Sequence, residues 1–471
     1  MQIPRARLCG GAAERLCFGA VFNSRRELHS TKSSPVPRDV APRDESTPRR
    51  FDRLRRLPWL PLLIVALIIL SAPFAVDPLR DAATGGPITD ATLRRSGGYL
   101  LLAPISAVLD TLTLLSHRQH IALILTLVLG WVLWWWWRRR EADLAVPATR
   151  RAVRIASRVG IALAVLAGVY AVALLVPRPM AALETAGPNI IAIDFHAHTK
   201  YSHDGRWNWE PEDVRAWHRK AGFDVAFIAD HRTFDGAREG WANNPTESGT
   251  ETLLLPALEA VWKGEHVIVL DADRMYRGIF DAALRDVDDD ALRLASLVPG
   301  NEPVLIWTIP GNLANVRTAK GRGTPGIRAL EVVDGAPRGL TQSRLDRARI
   351  VHLGDSTDVA LVAGSDSHGW GHAASAWTLM LIPGWRGAPP DEVSRAISAT
   401  IRNNGRETTR VAERYVANTE DAALVPFTVP IVTWGMFRSL SSDERIVWFA
   451  WVAALTMLAR LPAMRRRAPG E

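Results

Sequence analysis

The chain has 471 residues, 48% of them hydrophobic, with a net charge of +8 and two cysteines. Cys9 and Cys17 both lie in the N-terminal tail, which excludes a disulfide framework or a thiolate metal site elsewhere, so any metal must be held by nitrogen and oxygen. The positive charge does not build a nucleic-acid face: the arginines cluster in "RRFDRLRR" (49–56), "RRR" (138–140), "RR" (150–151) and "RRR" (465–467), flanking apolar segments as cytoplasmic anchor flanks do, and nucleic acid is disfavoured as a partner.

Residues 1–57 are rich in Arg, Ser and Pro, lack periodic apolar positions, and read as a disordered basic tail. Residues 58–177 read as a helical membrane region of three or four spans, since about 20 apolar residues cross a bilayer. Residues 59–76, 121–137 and 159–176 qualify, while 99–115 carries Asp110 in its interior and reads as interfacial or re-entrant. A C-terminal region, 422–464, holds one or two spans: 446–464, with Arg460 snorkelling, and the short, proline-containing 422–437. A basic tail, 465–471, follows. Three N-terminal spans place every arginine-rich flank on the cytoplasmic side and the intervening domain outside; a fourth would reverse this, against the positive-inside bias. The run "WVLWWWWRRR" fits an aromatic belt at one interface.

From residue 189 the pattern changes. "IIAID", "DVAFIAD", "TLLLPALEA", "HVIVLD", "PVLIWTI", "RALEVVDG", "VALVAGSD" and "WTLMLIP" read as buried, mostly parallel strands, and "EPEDVRAWHRKAG" and "DEVSRAISATIRNN" as helices between them. Such alternation argues an α/β barrel or a doubly wound sheet over about residues 185–420. His196 and His198 end the first strand, Asp230 and His231 the second, Glu259 the third, and Asp366 and His368 a late one. In a barrel those strand ends converge on one mouth.

His196 and His198 alternate along a strand, so both imidazoles face the same side and can share one ion. Alone, such a pair is weak evidence. Its company is "ADH" at 229–231, "GEH" at 264–266 and "SDSH" at 365–368, each closing or starting a strand. Together "DFHAHTKYSHDG", "AFIADH", "LPALEAVWKGEH", "IPGN" and "GSDSH" resemble, in order and spacing, the motifs of the PHP (polymerase and histidinol phosphatase) domain family over about residues 189–403.

The resemblance implies a distorted (β/α)7 barrel of the PHP type, here flanked by transmembrane α-helices. It also implies two or three divalent ions and phosphoester hydrolysis. Carried over by residue, it places His196, His198, Glu259 and Asp366 on one metal and Asp204, His231 and His368 on another. Glu259 with His266 reaches toward a third; His203 competes with its neighbour Asp204. The family's histidine before "PGN" is replaced by Ile309, which cannot coordinate, so two ions are expected. Two ions can activate water and clamp both oxygens of an in-line displacement at phosphorus, and a mixed His and carboxylate set suits Zn, Mn or Fe. Asp366 and His368 are the expected catalytic groups, with Arg232 as a phosphate-binding cation and Lys200 and Lys263 as solvated alternatives. His372 is a possible replacement donor at the third position.

Three functions are compatible with these residues: a membrane-anchored phosphoesterase acting on a phosphorylated small molecule or other phosphoester, a hydrolase acting on a non-phosphate bond, and a degenerate metal- or phosphate-binding sensor. His218 and His352, on helices away from strand ends, read as surface or packing residues. The acidic run 286–290 lacks a calcium loop's glycine and terminal glutamate, and "GRGTPG" (321–326) reads as a loop.

Overall fold

The computed structural model describes residues 58–144, 147–231, 233–262, 265–270, 304–309, 313, 327–337 and 339–465. The expectations for the N-terminal tail, Arg232, Lys263, the acidic run 286–290 and the loop 321–326 lie outside those residues.

An apolar helix α1 (Trp59–Ser71) leads into strands β1 (Leu79–Asp81) and β2 (Ala91–Arg95). Short helices α2 (Gly97–Leu101) and α3 (Ala103–Thr113) precede the long α4 (His117–Leu144) and α5 (Ala148–Leu175). There follow β3 (Ala181–Thr185), β4 (Ile190–Ala197), α6 (Pro211–Ala221), β5 (Val225–Ile228), α7 (Asp235–Ala242), β6 (Leu253–Trp262) and β7 (Glu265–Leu270). Next are β8 (Leu305–Trp307), β9 (Ala329–Asp334), α8 (Arg344–Thr357), β10 (Ala360–Gly364), β11 (Ala376–Leu381), α9 (Pro390–Asn404) and β12 (Thr409–Arg414). Helices α10 (Thr428–Arg438) and α11 (Ser442–Arg465) close the described chain.

Each of the eight apolar runs read from the sequence forms one strand of β4–β11. With β1 and β12 they make a mixed sheet in the order β1-β12-β11-β4-β5-β6-β7-β8-β9-β10. The parallel reading holds in part: β4–β5, β5–β6, β8–β9 and β9–β10 pair parallel, whereas β6–β7, β7–β8 and β4–β11 pair antiparallel. The physical reason at β6–β7 is the connection, because residues 263–264 alone join the two strands and so short a link returns the chain antiparallel. In addition, β1 and β2, within the stretch 58–177 read as helical, pair with β12 and β3 of the domain.

The sheet curls until its last strand meets an interior one. Ala197 and Ser367 form a bridge, the Asp366 N–H donates to the His196 carbonyl (2.8 Å), and the His198 N–H donates to the Ser367 carbonyl (3.0 Å). Asp194 fixes this seam: its carboxylate accepts the N–H of His196 (3.0 Å) and of Ser365 (2.9 Å), and His218 Nε2 lies 2.6 Å away. Helix α6 carries that histidine, started by a Glu210–Asp213 capping box with Pro211 in its first turn and ended by left-handed Gly222. On β4, Ile191, Ile193 and Phe195 pack with Phe227 and with Val393, Ile397 and Ile401 of α9, which leaves the alternate positions for Asp194 and His196.

Two described helices are long and apolar enough to cross a membrane, within His117–Trp137 and Ala148–Leu175. At 28 residues each, α4 and α5 run about 42 Å. The expected span at 59–76 contains α1, which continues through a tight turn of helix with Pro73, so that the apolar helical segment covers Trp59–Phe74. Residues 446–464 fall in α11, which exposes Ile446, Phe449, Leu455, Met457 and Leu458. The segments 99–115 and 422–437 form helices of at most 11 residues, too short to span.

Asp110 explains why α3 sits on the domain. Its buried carboxylate pairs with Arg178, with Arg414 of β12 (2.7 Å), and accepts from the Tyr99 hydroxyl (2.8 Å). A charge here is stable only because two guanidinium groups share it. Replacing Asp110 with Asn should destabilise the folded chain by about 3 kcal/mol, since two buried arginines lose their counter-ion; an unchanged thermal midpoint in detergent would contradict this.

Candidate metal centre

Five strands and the turns that follow them deliver the donor groups to one place. β4 ends in His196 and contributes His198 just beyond; β5 is followed by His231; β6 carries Glu259, its antiparallel partner β7 carries His266, and the turn after β10 supplies Asp366 and His368. The turn after His198 brings in Asp204, held by a hydrogen bond from Ser202 Oγ to its Oδ1 (2.6 Å). The glycine of "GSDSH" is needed for packing, since a Cβ on Gly364 would lie 2.0 Å from Glu331 Oε1 and 2.5 Å from His196 Cβ. Asp366 follows with a positive φ of 44°, a backbone state that Asp tolerates better than most residues.

Glu259, 3% exposed, is the hub. Its Oε2 lies 3.0 Å from His196 Nε2, 3.1 Å from His198 Nε2 and 3.2 Å from His231 Nε2, and its Oε1 contacts His266 Nδ1. Asp366 Oδ1 is 3.1 Å from His198 Nε2 and 3.4 Å from His196 Nε2. Next to this set, Asp204 Oδ2 lies 3.3 Å from His368 Nε2 and 3.5 Å from His231 Nε2. His203 is more exposed, its Nδ1 3.8 Å from Asp204 Oδ1. The two residues therefore differ: Asp204 faces both His231 and His368, whereas His203 reaches the group from its rim.

The donor set fits a divalent cation. His196 Nε2 and His198 Nε2 face each other at 3.0 Å, an unfavourable contact for two imidazoles unless a proton or cation lies between them. Tetrahedral ligands at about 2.0–2.2 Å from an ion stand about 3.3–3.6 Å apart, close to the separations among His196, His198, Glu259 and Asp366. The groups His196–His198–Glu259, His198–Asp204–His368 and His231–Glu259–His266 each bring their donor atoms within 4.8 Å of one another.

Protons take the place of a cation in the electrostatics of these groups. Burial acts to lower the His198 pKa, but Asp366 and Glu259 outweigh it and hold the imidazole up to about 10. Burial opposes the charged form of Asp366 as well, yet the surrounding histidines keep it down to about 2. Burial dominates at His231, pushed down to about 4 and so neutral and ready to donate a lone pair.

Two acids in the same cluster escape the sequence reading. Glu331 and Asp334 of β9 are buried, Glu331 Oε1 lies 3.4 Å from His196 Nδ1, and the three residues form a further donor group. Burial pushes the Glu331 pKa up to about 7 and, with Asp366 and Glu331 nearby, raises that of Asp334 as well. Glu331 thus lies behind the His196 ring, on the side where a metal-binding imidazole usually has its carboxylate partner. The signal in the sequence was an acid inside the apolar run "RALEVVDG".

Other candidates separate. Asp230 fixes the loop by accepting the Thr199 N–H (2.6 Å) and hydroxyl (2.7 Å). Lys200 is paired with Glu210 (2.6 Å). His218 is fully buried and His352 exposed. His372 belongs to none of the donor groups among the described residues. Ile309, just after β8, offers no donor atom.

No protein-family model matches the chain, and no curated protein matches it. Among solved structures, PsfC from Pseudomonas syringae is similar over 53% of this chain and 98% of its own, at 15% identity and a TM-score of 0.32. A Bifidobacterium adolescentis protein named as a candidate metal-dependent phosphoesterase is similar over 44% of this chain and 95% of its own, at 16% identity and a TM-score of 0.27. The lesion-specific endonuclease Q of Pyrococcus furiosus is similar over 45% of this chain and 56% of its own, at 13% identity and a TM-score of 0.30.

Loading this site requires imidazoles to lose protons, so metal affinity should rise with pH and binding should release protons. Calorimetric titration in two buffers of different ionisation enthalpy measures that release; identical heats would contradict it. Replacing Glu331 with Gln should weaken metal binding about 10- to 100-fold through the His196 ring it orients, and unaltered affinity would remove Glu331 from this role.

Proposed function

We propose that the chain is a membrane-anchored, metal-dependent phosphoesterase of the PHP type, with β4–β10 as its distorted seven-stranded barrel and about residues 185–420 as its catalytic domain. The observation that carries this is the convergence of His196, His198, Asp204, His231, His266, Asp366 and His368 around Glu259. His196, His198, Glu259 and Asp366 would hold one ion, and Asp204, His231 and His368 a second. Ile309 removes a donor from the third position. Zn, Mn or Fe suits the mixed nitrogen and oxygen set. When bound, such a pair supplies Lewis-acid activation of water and neutralises charge on the phosphoryl oxygens.

The chain's own residues do the rest. The Asp366 carbonyl, 2.8 Å from His368 Nδ1, orients that ring so that Nε2 faces Asp204. The Arg206 backbone N–H donates to the His368 carbonyl (3.1 Å), and its guanidinium rests over Trp209 (4.8 Å) and Trp370 (5.8 Å), a cation on the loop next to the donor groups for a phosphoryl group. Arg232, next to His231, is a second cation in this proposal. A cavity of about 220 Å³ beside Asp204, Asp366 and His368 has room for a headgroup.

Exposure supports membrane attachment. Almost no residues of the two long apolar helices are buried in the protein, unlike the core helix of a soluble fold. The domain holds their ends: the His117 N–H donates to the Pro337 carbonyl (2.9 Å) and the Gly371 N–H to the Leu174 carbonyl (3.1 Å). The end of α4 and the start of α5, which carry the arginines at 138–140 and 150–151, therefore lie at the opposite end of the hairpin, beyond the tryptophan cluster of Trp131, Trp134 and Trp135. With positive flanks inside, the domain lies outside the cytoplasm.

Full-length protein in detergent, loaded with Mn or Zn, should hydrolyse p-nitrophenyl phosphate or its bis ester and lose activity to a chelator. His196→Ala and Asp366→Ala should each lower turnover by about a thousandfold or more, as expected when activation of the nucleophile is lost. Full activity in both variants would sink the assignment. Labelling of introduced cysteines with an impermeant reagent tests sidedness: position 352 should react from outside intact cells and position 145 should not, and the reverse pattern would overturn the topology.

A further inference from the structure

We infer that the phosphoester this site cleaves is borne by a membrane lipid, an inference that rests on the hydrolase reading above. The cavity beside Asp204, Asp366 and His368 is walled partly by the helical region, through Thr113 of α3 and Leu174 of α5. The same two helices line a second space, a groove of about 630 Å³ among α1, α3, α4, α5, α10 and α11. Every residue lining it is apolar except Thr111, Thr428 and Thr433.

The two spaces are neighbours along both helices. On α3, Val108 and Leu112 line the groove and Thr113 lines the metal-side cavity. On α5, Val169 lines the groove and Leu174 the cavity, about 7.5 Å apart along the helix axis. A molecule with an apolar chain and a phosphorylated end fits that pair of spaces, and a diacyl or isoprenyl phosphate has this form. The rim agrees with an interfacial position: Trp370, 49% exposed, precedes Gly371, whose N–H donates to the Leu174 carbonyl (3.1 Å) at the end of an apolar helix, where tryptophan favours the headgroup level. In the reaction, water adds to phosphorus, the bond from phosphorus to the lipid oxygen breaks, and a proton from water ends on that oxygen, leaving a lipid alcohol and inorganic phosphate.

The first test needs no metal. Full-length, metal-free protein is reconstituted in phosphatidylcholine vesicles with phosphatidic acid bearing a diazirine in its acyl chain, and the labelled residues are mapped by mass spectrometry. Labelling concentrated at 108–115 and 162–174, and suppressed by unlabelled phosphatidic acid, is expected; labelling spread evenly over the apolar helices, or not suppressed, overturns the inference. The second test compares turnover of dioleoyl phosphatidic acid, farnesyl phosphate and glycerol 3-phosphate. At least one lipid should exceed the soluble ester about 100-fold in kcat/KM, given about 0.8 kcal/mol per buried methylene, and the two lipid arms separate diacyl from isoprenyl sources. Hydrolysis of p-nitrophenyl phosphate without lipid preference overturns the lipid inference and leaves the hydrolase standing. Specific labelling without turnover of any ester refutes the hydrolase itself, and the lipid as its substrate with it.

Discussion

One buried carboxylate organises the candidate metal centre of this molecule. Glu259 is almost wholly removed from water and is surrounded by four imidazoles, three on one oxygen and one on the other. A carboxylate in that position is stable only with compensating positive charge, whether protons on the histidines or a bound cation. The four imidazoles come from β4, the turns after β4 and β5, and β7, so satisfying Glu259 requires those strand ends to meet. The curl of the sheet, the Asp194 seam between β4 and the end of β10, and the glycine at 364 all serve that convergence.

A second buried carboxylate, Asp110, does the corresponding work for attachment. Two arginines, one after α5 and one on β12, close on it and seat the short helix α3 against the domain. Because α4 starts and α5 ends at the loops around the metal centre, the mouth of the site lies at the domain-side end of the apolar hairpin. Position and chemistry are then linked in the proposed function: the cavity beside the donor groups and the apolar groove are both lined by residues of α3 and α5.

The parts of this arrangement differ in how far the sequence revealed them. Eight strands were legible because each is a short, continuous apolar run, but their direction was not, since apolarity carries no sign; only the two-residue link after Trp262 betrays the antiparallel return. Strands β1, β2 and β12 read "LRD", "ATLRR" and "TRVAER", too short or too charged to stand out, and they form only against neighbours brought from elsewhere. The site's histidines and acids were visible as clusters at strand ends. Glu331 and Asp334 were not, for they lie within an apolar strand with no histidine near in sequence. His218 sits four residues after Val214 and one after Trp217, on the buried face of α6, and helical periodicity would have placed it inside.

Anomalous X-ray diffraction from crystals of the full-length protein grown with zinc or manganese, recorded at the absorption edge of the metal, is the most direct test of the central claim. Two anomalous peaks about 3.5–4 Å apart are expected, one among His196, His198, Glu259 and Asp366 and the other among Asp204, His231 and His368. A map without density at Glu259, under conditions where zinc or manganese binds elsewhere on the protein, would contradict it.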